Sequence, residues 1–274
     1  MARPAVDVVV PFAGRPDELA AVRARFGALD LRDGDTLTVV DDGAGHGSYA
    51  ARNRGAAPGR AEWLLFCDAD AEAPEDLLDR YFAAAPGERS AVLAGGVRDA
   101  EPGPGARMAE RYAHAHGAMS QAVTLEGRGR FAFAQTANCA VRRAAFEAAG
   151  GFRDDVRSGG DADLCFRLAT AEWELERRED AAVVHHNRMS VLALARQRAR
   201  HGAGAAWLAR EHPGSSVARR PLGLAWWSVR RAGSGVAALT RGDLDAAAAG
   251  LLDGPLVWAF ELGRLLPNRP RRRR

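Results

Sequence analysis

The chain has 274 residues, 47% hydrophobic and 27% charged, a balance suited to a soluble globular protein of one large domain or a domain plus an appendage. It contains no lysine, which excludes P-loop chemistry and Schiff-base lysines. Of the net charge of +3, Arg269 and Arg271 to Arg274 supply five positive charges, so the remainder carries −2 and is no nucleic-acid platform.

The first hundred residues alternate strand and helix. Strands are expected at 6–10, 36–40, 62–67 and 90–94, and helices at 16–29, 48–57 and 74–85. Short loops between them predict right-handed βαβ units and a mostly parallel central sheet. The N-terminus runs straight into the first strand, so no signal peptide is expected. A Gly/Pro-rich break spans Gly95 to Gly105. Beyond it the pattern predicts a helix over 106–119, short strands at 131–133 and 139–142, and helices at 143–149 and 161–170. A last strand follows at 181–185. From Ser190 only helices are expected, split at His212-Pro213-Gly214 and near Gly242. No uncharged stretch reaches membrane-spanning length. Cys67, Cys139 and Cys165 are widely spaced among apolar neighbours and read as reduced core residues of a cytosolic protein.

Four segments place polar groups beside strand or helix ends. The apolar run Trp63-Leu64-Leu65-Phe66-Cys67 ends in Asp68-Ala69-Asp70, where ligands bind in open α/β sheets. Two carboxylates at that spacing repel unless a cation holds them, so the pair invites Mg²⁺ or Mn²⁺ carried by a diphosphate; the plain alternative is that Asp70 starts the next helix. Asp41-Asp42-Gly43 closes the second strand, where an acid can accept a base or ribose hydrogen bond. The helix between these turns carries Arg52 and Asn53, either of which could reach a nucleotide, and Arg54 on a solvated face. Asp161 and Asp163 open a helix after Gly159-Gly160, near its positive end; one can cap the helix while the other serves as a general base. His185 and His186 end the last strand, and one of them could complete a metal's ligand set. Gln197 and Arg200 share a helix face, and a guanidinium there suits a diphosphate.

Taken in order, these segments resemble a family 2 glycosyltransferase of the GT-A fold. Val8-Val9-Val10-Pro11, Val39-Val40-Asp41-Asp42-Gly43, Ala51-Arg52-Asn53-Arg54-Gly55 and Leu65-Phe66-Cys67-Asp68-Ala69-Asp70 are similar to its donor-side motifs. Ala137-Asn138-Cys139-Ala140-Val141-Arg142-Arg143 with Gly150-Gly151-Phe152, then Gly160-Asp161-Ala162-Asp163-Leu164, are similar to its acceptor side, and Gln197 to Arg200 match a Gln-x-x-Arg element.

The resemblance implies an α/β fold of GT-A type: a Rossmann-like, mostly parallel central sheet flanked by helices, over residues 1–188, with a nucleotide-binding half (1–100) and an acceptor-side half (101–188). A C-terminal helical extension (189–268) and a disordered basic tail (269–274) follow. It implies a metal-dependent inverting enzyme that moves one sugar from a nucleotide-diphosphate sugar, uridine being favoured over guanosine, to an acceptor hydroxyl. Pro11, Asp41 or Asp42, and Arg52 would hold the nucleotide. Asp68 would meet the ribose or the metal, and Asp70 would ligate Mn²⁺ or Mg²⁺ with His185. Gln197 and Arg200 would hold the diphosphate. Asp161 would be the base, with Asn138 and Asp163 on the acceptor side. The acceptor would be a lipid phosphate, a saccharide or a small natural product, and no nucleic acid is involved.

Two positions depart from the family pattern: Gly160 stands where a glutamate is usual, and His201 replaces the tryptophan of processive members, which argues for single-sugar transfer. The alternatives are an inactive nucleotide-binding or scaffold protein of the same fold, or a nucleotidyltransferase. Trp258 and Phe260, near Arg264 and the terminal arginines, suit an interfacial helix, so peripheral contact with the inner face of a membrane through the C-terminal helices and arginine tail is expected.

Overall fold

A computed structural model of the chain describes residues 3–43, 45–117, 119–186 and 190–270. In chain order the elements are β1 (Val6–Phe12), α1 (Pro16–Phe26), β2 (Thr36–Asp41), α2 (Ser48–Ala56), β3 (Trp63–Cys67), β4 (Ala71–Glu72), α3 (Leu77–Tyr81), β5 (Ser90–Asp99) and α4 (Met108–Ala115). Next come α5 (Ala122–Leu125), a 3₁₀ turn (Gly129–Phe131), β6 (Asn138–Arg142), α6 (Arg143–Ala148), α7 (Gly160–Thr170), β7 (Glu174–His185), α8 (Val191–Glu211), α9 (Pro221–Thr240) and α10 (Leu244–Gly263).

Two compact units result. The first takes Met1–Arg98, Ser120–His185 and Arg269–Arg274; the second takes Asp99–Met119 and His186–Asn268. Residues 99–119 thus group with the C-terminal helices, whereas the sequence reading put 101–119 at the start of the acceptor-side half. The expected boundary at 188 and residues 271–274 of the basic tail lie outside the described residues.

The first unit is built on a seven-stranded sheet in the order β2-β1-β3-β6-β5-β7-β4. β1 pairs parallel with β2 and β3, while β6 is antiparallel to both β3 and β5. β5 therefore runs in the direction of β1 to β3, and β6 is the reversed strand inserted among them. β3 is buried along its whole length, with Leu64, Leu65 and Phe66 fully enclosed; burying each such side chain is worth about 1.5–3 kcal/mol. Pro11 pairs with Val40 beyond the end of the β1–β3 ladder, so its missing N–H leaves no gap on that side. α2 lies tight against the sheet because Gly55 lacks a side chain: a Cβ there would sit 2.5 Å from Val9 Cγ1 and 2.7 Å from Val40 Cγ2.

Several expected elements differ, among them the strand at 90–94, which runs on to Asp99 through the first part of the expected Gly/Pro-rich break, and the helix at 106–119, which is only Met108–Ala115. The helix at 74–85 is only Leu77–Tyr81. The strand at 131–133 is absent: Gly127 and Gly129 adopt positive φ, and the chain makes a 3₁₀ turn instead. β7 begins at Glu174, seven residues earlier than expected, because its largely exposed first half carries charges that hide the strand pattern. The three cysteines are buried and free, as expected.

The second unit packs α10 against α4, α8 and α9. Small residues bring the backbones together, Gly235 lying against Gly250 and Leu251 and Gly202 against the Phe260 carbonyl. The buried Asp253 carboxylate on α10 accepts from the Tyr112 hydroxyl at 3.2 Å and from Arg231 Nε at 2.6 Å, and pairs with His116 Nε2 at 3.0 Å.

Candidate active site

The turn after β3 is fixed from several sides. The Ala71 N–H donates to the Asp68 carbonyl at 3.1 Å, and Arg25 of α1 donates to the Ala69 carbonyl at 2.9 Å. The chain then enters β4 rather than a helix, so Asp70 starts no helix. Ala71 pairs with His185 across the β4–β7 ladder. This register puts the His185 imidazole beside the residue that precedes Ala71: Nε2 lies 3.3 Å from Asp70 Oδ1. Asp68, Asp70 and His185 each offer a ligand atom, and the three atoms lie within 4.8 Å of one another. Two carboxylates and an imidazole form a donor set that suits Mn²⁺, and Mg²⁺ with less ease because of the nitrogen.

Arg52 on α2 is almost wholly buried and donates to Asp68 Oδ1 at 2.5 Å. Its Nε, also buried, has no partner among the described residues. The guanidinium lies 5.7 Å from the centre of the Tyr49 ring. Tyr49 in turn donates its hydroxyl to Asp161 Oδ1 at 3.1 Å. A chain of contacts thus runs from Asp68 through Arg52 and Tyr49 to Asp161, all in the first unit, with Asp70 beside its Asp68 end. Asp161 sits in the first turn of α7, which Gly159 opens with φ +86°. Burial pushes the Asp161 carboxyl above its ordinary value, against the opposing pull of the Ala162 N–H, the Tyr49 hydroxyl and the charge of Arg52.

Tyr49 was not singled out in the sequence. Its signal was Gly160: a Cβ there would lie 2.8 Å from the Tyr49 ring, so the missing side chain at 160 and the ring at 49 are complementary.

Other expected site residues have structural partners. The buried Asp42 carboxylate accepts from the backbone N–H groups of His46 and Gly47 and from Arg54, fixing the loop into α2. Arg54 is therefore more than a solvated face. Asp41, at the end of β2, is exposed. Asn53 clasps Phe152 through both its amide ends, at 2.8 and 3.0 Å, and so holds the Gly150-Gly151 turn. Asn138, expected on the acceptor side, is fully buried; it donates to the Gly96 and Ala181 carbonyls and accepts from the Tyr81 hydroxyl. Asp163, also fully buried, accepts from Arg167, which anchors the Ala149 and Gly151 carbonyls. Neither Asn138 nor Asp163 presents a solvent-facing side chain. Gln197 and Arg200 lie on α8 in the second unit.

The family model described as glycosyltransferase like family 2 matches residues 3–204. Glycosyltransferase AglE of Haloferax volcanii is 28% identical over 151 residues, covering 55% of this chain and 48% of that protein. The pre-mycofactocin glycosyltransferase of Mycobacterium tuberculosis is 27% identical over 170 residues, covering 61% of this chain and 36% of that protein. The chain thus spans half the length, or less, of these curated relatives. Among solved structures, the mannosyltransferase PcManGT from Pyrobaculum calidifontis, in complex with GDP-Man and Mn²⁺, has a TM-score of 0.54 at 17% identity, covering 96% of this chain and 73% of that one. That likeness is one of fold, and the fold is GT-A. Since the family match takes in most of its length, the chain belongs to the glycosyltransferase like family 2.

Proposed function

We propose that the chain transfers a single sugar from a nucleotide-diphosphate sugar to an acceptor hydroxyl, with inversion at the anomeric carbon. The observation that carries this reading is the grouping of Asp68, Asp70 and His185 at the carboxyl end of β3, with Arg52 on Asp68. Those three side chains would hold Mn²⁺ or Mg²⁺, which when bound supplies positive charge against a diphosphate.

In the proposed reaction Asp161 takes the acceptor hydroxyl proton. The acceptor oxygen bonds to the anomeric carbon as the bond from that carbon to the diphosphate breaks, and the electron pair leaves with the diphosphate. The raised carboxyl of Asp161 suits a group that must accept a proton. Tyr49 orients it, and Arg52, whose buried Nε has no partner among the described residues, donates to a ligand oxygen. Asp41, the exposed member of its pair, takes the base or ribose next to Pro11. The acceptor is any hydroxyl-bearing molecule that reaches Asp161.

A thermal-shift panel of UDP and GDP, each with and without Mn²⁺, tests the donor assignment and names the base. Site binding at 100 times Kd adds about 2.7 kcal/mol of stability. A shift with one nucleotide that needs Mn²⁺ is the expected result; no shift with either, under any divalent cation, removes the reading.

A further inference from the structure

Helix α9 is apolar on two opposite faces, and only one of them is used inside the second unit. Leu224, Gly235 and Ala238 are buried, Ser228 lies against Gly254, and Gly235 meets Gly250. These positions, spaced three and four apart, form the seam with α10. The opposite face carries Leu222, Trp226, Val229 and Val236, also at helical spacing, and these are 88%, 67%, 66% and 54% exposed. An exposed apolar stripe of that length on one helix marks a docking surface.

The charge around the stripe says what covers it. Between Glu211 and Asp243 there is no acidic residue, while Arg219, Arg220, Arg230, Arg231 and Arg241 supply five positive charges. Arg219 pairs with Glu261 and Arg231 with Asp253 inside the unit. Arg220, Arg230 and Arg241 are exposed and have no carboxylate partner among the described residues. We propose that α9 lies flat on an anionic lipid leaflet, with Leu222, Trp226, Val229 and Val236 in the acyl boundary and these three arginines at the headgroups. A second copy of the chain is a poor occupant, because a twofold contact would set the unpaired arginines against their own copies. No helix among the described residues is long and apolar enough to cross a membrane, which fits a helix lying in the interface plane. The expected anchor, Trp258 and Phe260, is on α10 and partly buried, so the contact moves to α9. This inference does not depend on sugar transfer.

Flotation of the full chain tests it, with vesicles of phosphatidylcholine alone and of phosphatidylcholine mixed with about one-third phosphatidylglycerol. The protein is expected to float with the anionic vesicles, to stay behind with the neutral ones, and to be released by about 0.5 M salt. Trp226→Glu combined with Val229→Glu should abolish flotation without changing the thermal unfolding profile. Arg220→Gln, Arg230→Gln and Arg241→Gln should each weaken binding about fivefold. Three results would overturn the proposal. One is no flotation of the unaltered chain with anionic vesicles. Another is flotation of the double glutamate variant at the unaltered level, which assigns the contact to the arginine tail or another face. The third is a dimer in solution that the double variant dissociates.

Discussion

The ring of Tyr49 occupies the space that a side chain on Gly160 would need: a Cβ at 160 would lie 2.8 Å from Tyr49 Cε2. The same tyrosine donates its hydroxyl to the neighbouring Asp161. Where the family pattern has an acidic side chain on α7, this chain has an aromatic one reaching across from α2. Gly160→Glu should therefore destabilise the fold by about 1–3 kcal/mol through overpacking. With Tyr49→Ala also present the room exists, so the double variant should cost less than the two single changes added, by about 1 kcal/mol or more in a urea-unfolding cycle. Strict additivity would mean that the two positions do not share a space.

Asp161 carries a stability cost that disappears at acid pH. Its carboxyl is raised above 3.8 in the fold, so between that value and its folded value the native state holds more protons than the unfolded chain. Stability from this residue is therefore highest at acid pH and falls as pH rises through the raised value. Asp161→Asn should raise the melting temperature near neutral pH, with the gain vanishing at acid pH. Turnover should fall by about 10²–10⁴-fold while donor affinity is kept. In Tyr49→Phe the carboxyl loses a bond that favours its charged form, so the rising limb of the pH–kcat profile should move to higher pH.

Arg52→Ala should cost about 1.5–3 kcal/mol by urea unfolding, the range for hydrogen bonds to charged groups. It leaves Asp68 without its 2.5 Å partner, though Asp68 is one-third open to water, which keeps the cost below that of a fully buried broken pair. Donor affinity should fall with it. Unchanged stability would show that the bond to Asp68 is not held in solution.

Asn138→Ala should read as a stability variant, not as an acceptor-binding variant. It strands the Gly96 and Ala181 carbonyls and the Tyr81 hydroxyl, and each buried unsatisfied group costs about 1–3 kcal/mol. A selective rise in the acceptor KM with normal unfolding would return Asn138 to the acceptor side.

Much of this was legible in the chain. The alternation of apolar runs and helical segments located β1, β2, β3 and β6, and the doubled acid at 68 and 70 marked the end of β3. The two imidazoles ending the last strand and the family resemblance both pointed to His185 or His186 as a metal ligand, but the register that sets His185 beside Asp70 was not legible, because the two-residue β4 has no sequence pattern of its own. Asp41 and Asp42 look alike in sequence; burial separates them, one exposed and one locked into its loop by Gly47 and Arg54. Asn138 and Asp163 stand beside functional motifs; the partners of Asn138 come from α3, β5 and β7, contacts that only the folded chain supplies, while Arg167, four residues on in α7, is a local partner of Asp163 that the spacing already offered. Tyr49 was hidden because its role depends on what position 160 lacks.

The claim on which the rest depends is that Asp68, Asp70 and His185 hold a divalent cation together. Electron paramagnetic resonance of free Mn²⁺, titrated with the protein in the presence of a nucleotide diphosphate, measures this directly. The signal of the free ion should fall as unaltered protein is added, and Asp70→Ala should leave it at the level seen with nucleotide alone. An equal fall with Asp70→Ala, or none with the unaltered chain, would contradict the account.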